Sequence, residues 1–206
     1  MKTFIMFLVC GLVTAGSAQQ SQKTFTSPNG LFSFHYSDML VNCLPRQTTG
    51  PAPAIDSCMS QGAVCSGPGS DATVLACFAY PKERFKDKPL FVAATFFVTE
   101  IESAKTEKAC LKGSSDWLVL NSNAETTTIN GITFKVFEIG DNWAGGGQRG
   151  PVYRTFHKDR CYELGMQTVI SRAAYDPETD REFTKQDSSE VEGRLGQALN
   201  SFVFLK

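Results

Sequence analysis

The side chains of this 206-residue chain suited to general-base, nucleophilic or metal chemistry are two histidines, His35 and His157, and seven cysteines. Six cysteines lie beyond the N-terminal segment: Cys43, Cys58, Cys65, Cys77, Cys110 and Cys161. A structural zinc site wants closely spaced ligand pairs such as C-x-x-C, and none occurs here; a thioredoxin-type redox motif falls on the same absence. An even number of cysteines in an exported chain suggests disulfides instead. Six cysteines allow fifteen pairings. The arrangement expected is Cys58–Cys65 closing a small loop, Cys43–Cys77 across its base, and Cys110–Cys161 joining the two halves. Cysteines bound in this way supply no thiolate, so a catalytic cysteine is not expected. The histidines read as ordinary surface or strand-end residues, because no Gly-x-Ser-x-Gly elbow presents a nucleophile to them.

The glycine-rich stretch from Asp141 to Gly150 matches no phosphate-binding loop, since no Lys-Ser/Thr follows it. One reading makes it a mobile hairpin tip. A sharper one makes Trp143 an aromatic recognition anchor, with Arg149, Tyr153 and Arg154 along the same edge. The acidic pairs Asp176 with Glu178 and Asp180 with Glu182 lack the ligand density of a calcium loop and read as a solvated connection. No catalytic residue, cofactor site or metal site is expected from these patterns.

Export is inferred from the first eighteen residues. Lys2 precedes an apolar run from Phe4 to Val13, and Gly16-Ser17-Ala18 supplies the small residues a signal peptidase needs. Cleavage is expected after Ala18, with polar Gln19 and Gln20 following. Cys10 raises lipid attachment as an alternative, but Val9 stands before it where a small residue is expected. The absence of any Asn-x-Ser/Thr acceptor fits a periplasmic or extracellular protein. A formal charge of −1 leaves no basic surplus for nucleic acid, and no apolar run is long enough to span a membrane.

Beyond residue 18 a single α+β domain is expected, interrupted by a Cys/Gly/Pro-rich insertion at about 46–72. Alternation places Phe32, Phe34 and Tyr36 on one side of a strand. Residues 73–80 form another strand, and Leu90 to Val98, apolar on both sides, reads as a central strand needing cover on both faces. Helices are expected over Ser103–Leu111, ending at Gly113, and over Ser189–Ser201, opened by a Ser189-to-Glu192 capping box. Between them lie a short run at Trp117–Leu120, an Asn130-Gly131 turn into a strand from Ile132 to Ile139, and a hairpin of 151–157 and 161–170 around Lys158-Asp159-Arg160.

The aromatic strand after Gly30 (Leu31-Phe32-Ser33-Phe34-His35-Tyr36), the hairpin Tyr153–Leu164, and the final helix running into Ser201-Phe202-Val203-Phe204 together resemble the PsbP-like superfamily in layout. Ser37 stands where members often carry Pro, and the cysteine-bearing insertion is a further departure. The resemblance implies an antiparallel sheet sandwiched between helices and a partner-binding, non-enzymatic role. The function expected is therefore an exported binding or accessory protein with an envelope protein or small molecule as partner. The rivals are a secreted hydrolase with an unrecognised nucleophile and an envelope structural protein.

Overall fold

Alternating apolar residues and two-residue turns build most of the molecule from antiparallel strands. The computed structural model describes residues 21–43, 65, 72–112, 118–119, 125–173 and 175–206. The expected signal peptide with Cys10, most of the 46–72 insertion with Cys58, and Gly113 with Trp117 lie outside those residues.

A three-stranded sheet combines β1 (Gln22–Thr26), β2 (Phe32–Ser37) and β11 (Val203–Phe204) in the order β1-β2-β11. The larger sheet contains β3 (Val41–Asn42), β4 (Ala72–Ala79), β5 (Phe91–Ile101), β6 (Leu118–Val119), β7 (Thr126–Ile129), β8 (Ile132–Trp143), β9 (Gly146–His157) and β10 (Arg160–Ser171). Its order is β3-β4-β5-β10-β9-β8-β6, with β7 paired to β8. All its pairings are antiparallel. Among the described residues, two α-helices accompany the sheets: α1 (Glu107–Lys112) and α2 (Lys185–Asn200).

The turns follow local chemistry. Asn130 and Gly131 have φ of 49° and 79°, and Lys158 and Asp159 have 48° and 59°, the left-handed pair that closes a two-residue hairpin compatible with strand twist. The doubly apolar strand is β5, central in the larger sheet, with Phe91 to Val98 buried apart from half-buried Val92.

One face of the larger sheet, here the front, carries Ala76, Phe78, Phe96, Val98, Phe134, Tyr162 and Leu164. The three-stranded sheet and α2 cover it, adding Phe32, Phe34, Val191, Leu195 and Phe202 to one core. Phe34 lies 5.1 Å from the Phe96 ring and 5.4 Å from that of Phe78, in edge-to-face contact. The opposite face, the back, holds Cys77 and Phe97, Phe137 with Val152, and Cys161 with α1. The expected sandwich between helices is therefore not the observed layout. Among the described residues, α1 has only six residues and meets a corner of the back face, and the front is shared between one helix and a second sheet.

The final helix also begins earlier than expected. Thr184, not Ser189, is its N-cap: the Thr184 hydroxyl accepts from the Asp187 N–H, and the Asp187 carboxylate accepts from the Thr184 N–H. Lys88 meets the same carboxylate at 2.6 Å. Together these contacts hold the Asp187 carboxyl below its usual range, although burial opposes the charge. Tyr80 donates to Glu190 at 2.9 Å, tying the end of β4 to α2; burial, helped by that acceptor, pushes its phenol up to about 12.

Candidate functional site

The cysteines pair differently from expectation at one end of the fold. Cys110–Cys161 is present, with Cα atoms 5.4 Å apart, and it fastens α1 to the start of β10. Cys77, however, bonds to Cys65 rather than Cys43, with Cα atoms 5.5 Å apart. That bond rules out both Cys43–Cys77 and Cys58–Cys65. The continuing β3–β4 pairing already places Cys43 beside Cys77, its N–H donating to the Cys77 carbonyl at 2.8 Å, while the Cys77 sulfur turns to Cys65. Cys43 is itself disulfide-bonded. The sulfurs of Cys43, Cys65 and Cys77 lie within 4.8 Å of one another, an assembly that sequence spacing gave no hint of. As disulfides they offer no thiolate to a metal ion.

A polar row crosses the back face. Register aligns Thr99 of β5, Glu163 of β10, Arg154 of β9 and Lys135 of β8 as successive neighbours. Arg154 Nε donates to Glu163 Oε2 at 2.6 Å, and the two side chains are 3% and 1% exposed. The Arg154 guanidinium and the Lys135 ammonium lie 5.4 and 5.5 Å from the Phe137 ring centre, so one aromatic ring serves two cations.

This row marks the point where the sheet forks. From Lys135↔Arg154 to Trp143↔Gly146, β8 and β9 form a continuous ladder. Among the described residues, β8 before Lys135 pairs only with β7, and β9 after Arg154 only with β10. The next hydrogen-bonded rung of that register, Thr133 opposite Phe156, is missing. A crevice of about 570 Å³ opens in its place. Its walls include Thr133 and Lys135 from β8, Thr155, Phe156 and His157 from β9, and Leu111 of α1. Phe204 closes the front and Glu107 stands at the back.

Two anchors account for the fork. Asn130 at the β7–β8 turn donates through Nδ2 to the carbonyls of Asn200 and Phe202, drawing that hairpin toward the end of α2. The Cys110–Cys161 bond holds α1 against β9 and β10 on the other side. Within the crevice wall, the His157 ring lies flat on Phe204 at 3.9 Å, and its buried Nε2 has no hydrogen-bond partner. Burial, with the neighbouring Lys158 charge, lowers its pKa below the usual 6.5. His35 is elsewhere: its Nδ1 meets Thr24 Oγ1 at 3.0 Å on an exposed strand.

The residues of the proposed recognition edge separate. Trp143 pairs through its backbone with Gly146 at the hairpin end, and its side chain lies outside the described residues. Arg149 is exposed near Glu138 and Glu192, Tyr153 is half-buried against the front core, and Arg154 is buried on the back. Consecutive strand residues point to opposite faces, so Tyr153 and Arg154 cannot share an edge. The 176–180 connection is organised by itself, Asp176 accepting from the Glu178 N–H and the Thr179 hydroxyl.

No protein-family model matches the chain, and no curated protein matches it. Solved structures similar to it include the following three. One is a Bacteroides thetaiotaomicron VPI-5482 protein, with TM-score 0.44 and 11% identity over 89% of this chain and 48% of that one. Another is cyanobacterial PsbP (CyanoP) of Synechocystis sp. PCC 6803, with TM-score 0.41 and 15% identity over 96% of this chain and 98% of that one. A PsbP is thus among the structures this chain resembles. The third is the Saccharomyces cerevisiae Ran-binding protein Mog1p, with TM-score 0.40 and 10% identity over 89% and 95%. The chain spans about half the length of the Bacteroides protein. At these identities the likeness concerns overall layout and transfers no residue role.

Proposed function

We propose that this protein is an exported, disulfide-stabilised binding or accessory protein of the periplasm or extracellular space, and that its ligand site is the crevice between β8 and β9. The observation that carries the reading is the pair of interior cross-links. Cys77, Cys110 and Cys161 are 0%, 0% and 1% exposed, and their bonds join residues 12 and 51 positions apart. Such bonds persist in oxidising compartments and are rare where thiols are kept reduced. The apolar N-terminal run followed by Gly16-Ser17-Ala18 supports the same location. A concave site of this volume, with apolar walls and a few polar groups, suits ligand capture.

Labelling with a fluorophosphonate probe, read by intact mass, tests the binding assignment against a hydrolase. The expected result is no adduct on the purified mature protein. Stoichiometric modification of one serine overturns the assignment.

A further inference from the structure

Two-residue hairpins fix the direction in which backbone groups point. Across the Asn130-Gly131 turn, Ile129 and Ile132 form the closing hydrogen-bonded pair, so Ile132, Phe134 and Val136 direct N–H and C=O toward β7. The Val136 N–H bond to the Glu125 carbonyl, 2.9 Å, agrees. Thr133 and Lys135 therefore direct theirs the other way. The Lys158-Asp159 turn applies the same logic to β9: His157 faces β10, while Arg154 and Phe156 face β8. Lys135 and Arg154 satisfy each other. Thr133 and Phe156 point into the crevice, where the ladder has ended.

We propose that the crevice takes an extended peptide segment of a partner protein, which resumes the interrupted ladder on the backbone groups of Thr133 and Phe156. This rests on the reading of the crevice as the ligand site and adds the chemistry of its occupant. Strand addition draws affinity from main-chain hydrogen bonds and specificity from alternate side chains. The freed edges, Ile132–Phe134 and Thr155–His157, are each three residues long, about 10 Å of strand. An extended segment presents side chains alternately to the two walls. The front wall is the Phe204 ring with the His157 imidazole stacked on it, an apolar surface. The back wall is Leu111 with Lys135 and Glu107, one cation and one carboxylate beside the path. The matching sequence is apolar at alternate positions.

The test uses the full mature protein, immobilised and panned against a random heptapeptide phage library. Recovered heptapeptides are synthesised, and binding is measured by fluorescence anisotropy and by amide shifts in 1H–15N spectra. The expected outcome is enrichment of alternating apolar sequences, with shifts at Thr133 and Phe156. T133P removes the crevice-facing N–H without touching a β7 bond and weakens binding about tenfold. Should T133P disturb the fold, methylating the central peptide nitrogens gives the same loss on the unaltered protein. Failure to enrich any sequence overturns the proposal, as does binding indifferent to T133P and to N-methylation. Either failure leaves the exported binding assignment standing, because that depends on disulfide state and serine reactivity.

Discussion

The two faces of the larger sheet are stabilised by different physics. The front is a continuous aromatic core: Phe25, Phe32, Phe34, Phe78, Phe96 and Phe202 share contacts, and a second sheet with α2 closes over them. The back is discontinuous among the described residues. Its apolar patches are small, separated by the Thr99–Glu163–Arg154–Lys135 row, and cross-linked at Cys65–Cys77 and Cys110–Cys161. Dispersion and area burial act without direction on the front. On the back, directional bonds and covalent links fix where α1 and the forked strands sit, and the crevice depends on that placement.

The contrast is broken most severely by unpairing the buried charges. R154A removes the guanidinium that buried Glu163 pairs with, with an expected loss of about 3–5 kcal/mol in denaturant unfolding. On the front, F96A costs a similar amount, about 3–5 kcal/mol, through a cavity. The two differ in rescue. R154M combined with E163L recovers most of the back-face loss, since a buried ion pair is often replaceable by apolar groups. A double mutant that stays as unstable as R154A removes the distinction between the faces.

Next in size is the cross-link. Replacing Cys110 and Cys161 by Ser is expected to cost about 2–5 kcal/mol, because the bond closes a span of 51 residues. Amide exchange should rise in α1 and at Thr155–His157 before it rises in β2. Uniform change across both faces contradicts the local anchoring assigned to this bond. A smaller effect belongs to T184A, about 1 kcal/mol, from loss of the α2 cap.

The smallest effect is acid sensitivity. His157 has a folded pKa below 6.5, so below that pH the unfolded chain takes up the proton more readily and stability falls. Asp187 adds a second loss lower down: its folded pKa lies below 3.8, so its contribution is full above that value and disappears as pH drops through the folded one. H157F should remove the upper part of the acid loss and leave the lower part, as read from unfolding midpoints against pH.

Features set by neighbouring residues were readable from the chain. Asn130-Gly131 and Lys158-Asp159 announce hairpins because their left-handed φ angles are local requirements. The β5 run announces burial on both faces because apolar residues occupy both parities. The start of α2 differs from expectation because Ser189 and Glu192 imitate the box that Thr184 and Asp187 form five residues earlier in the chain, beside Lys88. The polar row was illegible because its four members come from four strands and meet only through register. Of the three expected bridges only Cys110–Cys161 is present, because nothing in the spacing of Cys65 and Cys77 marks them as partners. The crevice was hidden for a related reason, since it is a place where pairing stops.

The central claim, that these cysteines are cross-links made after export, is tested most directly by non-reducing peptide mapping with intact mass on protein recovered from its native source. The account predicts an N-terminus at Gln19, Cys65 joined to Cys77, and Cys110 joined to Cys161. An intact Met1 together with free thiols at Cys77, Cys110 and Cys161 contradicts it.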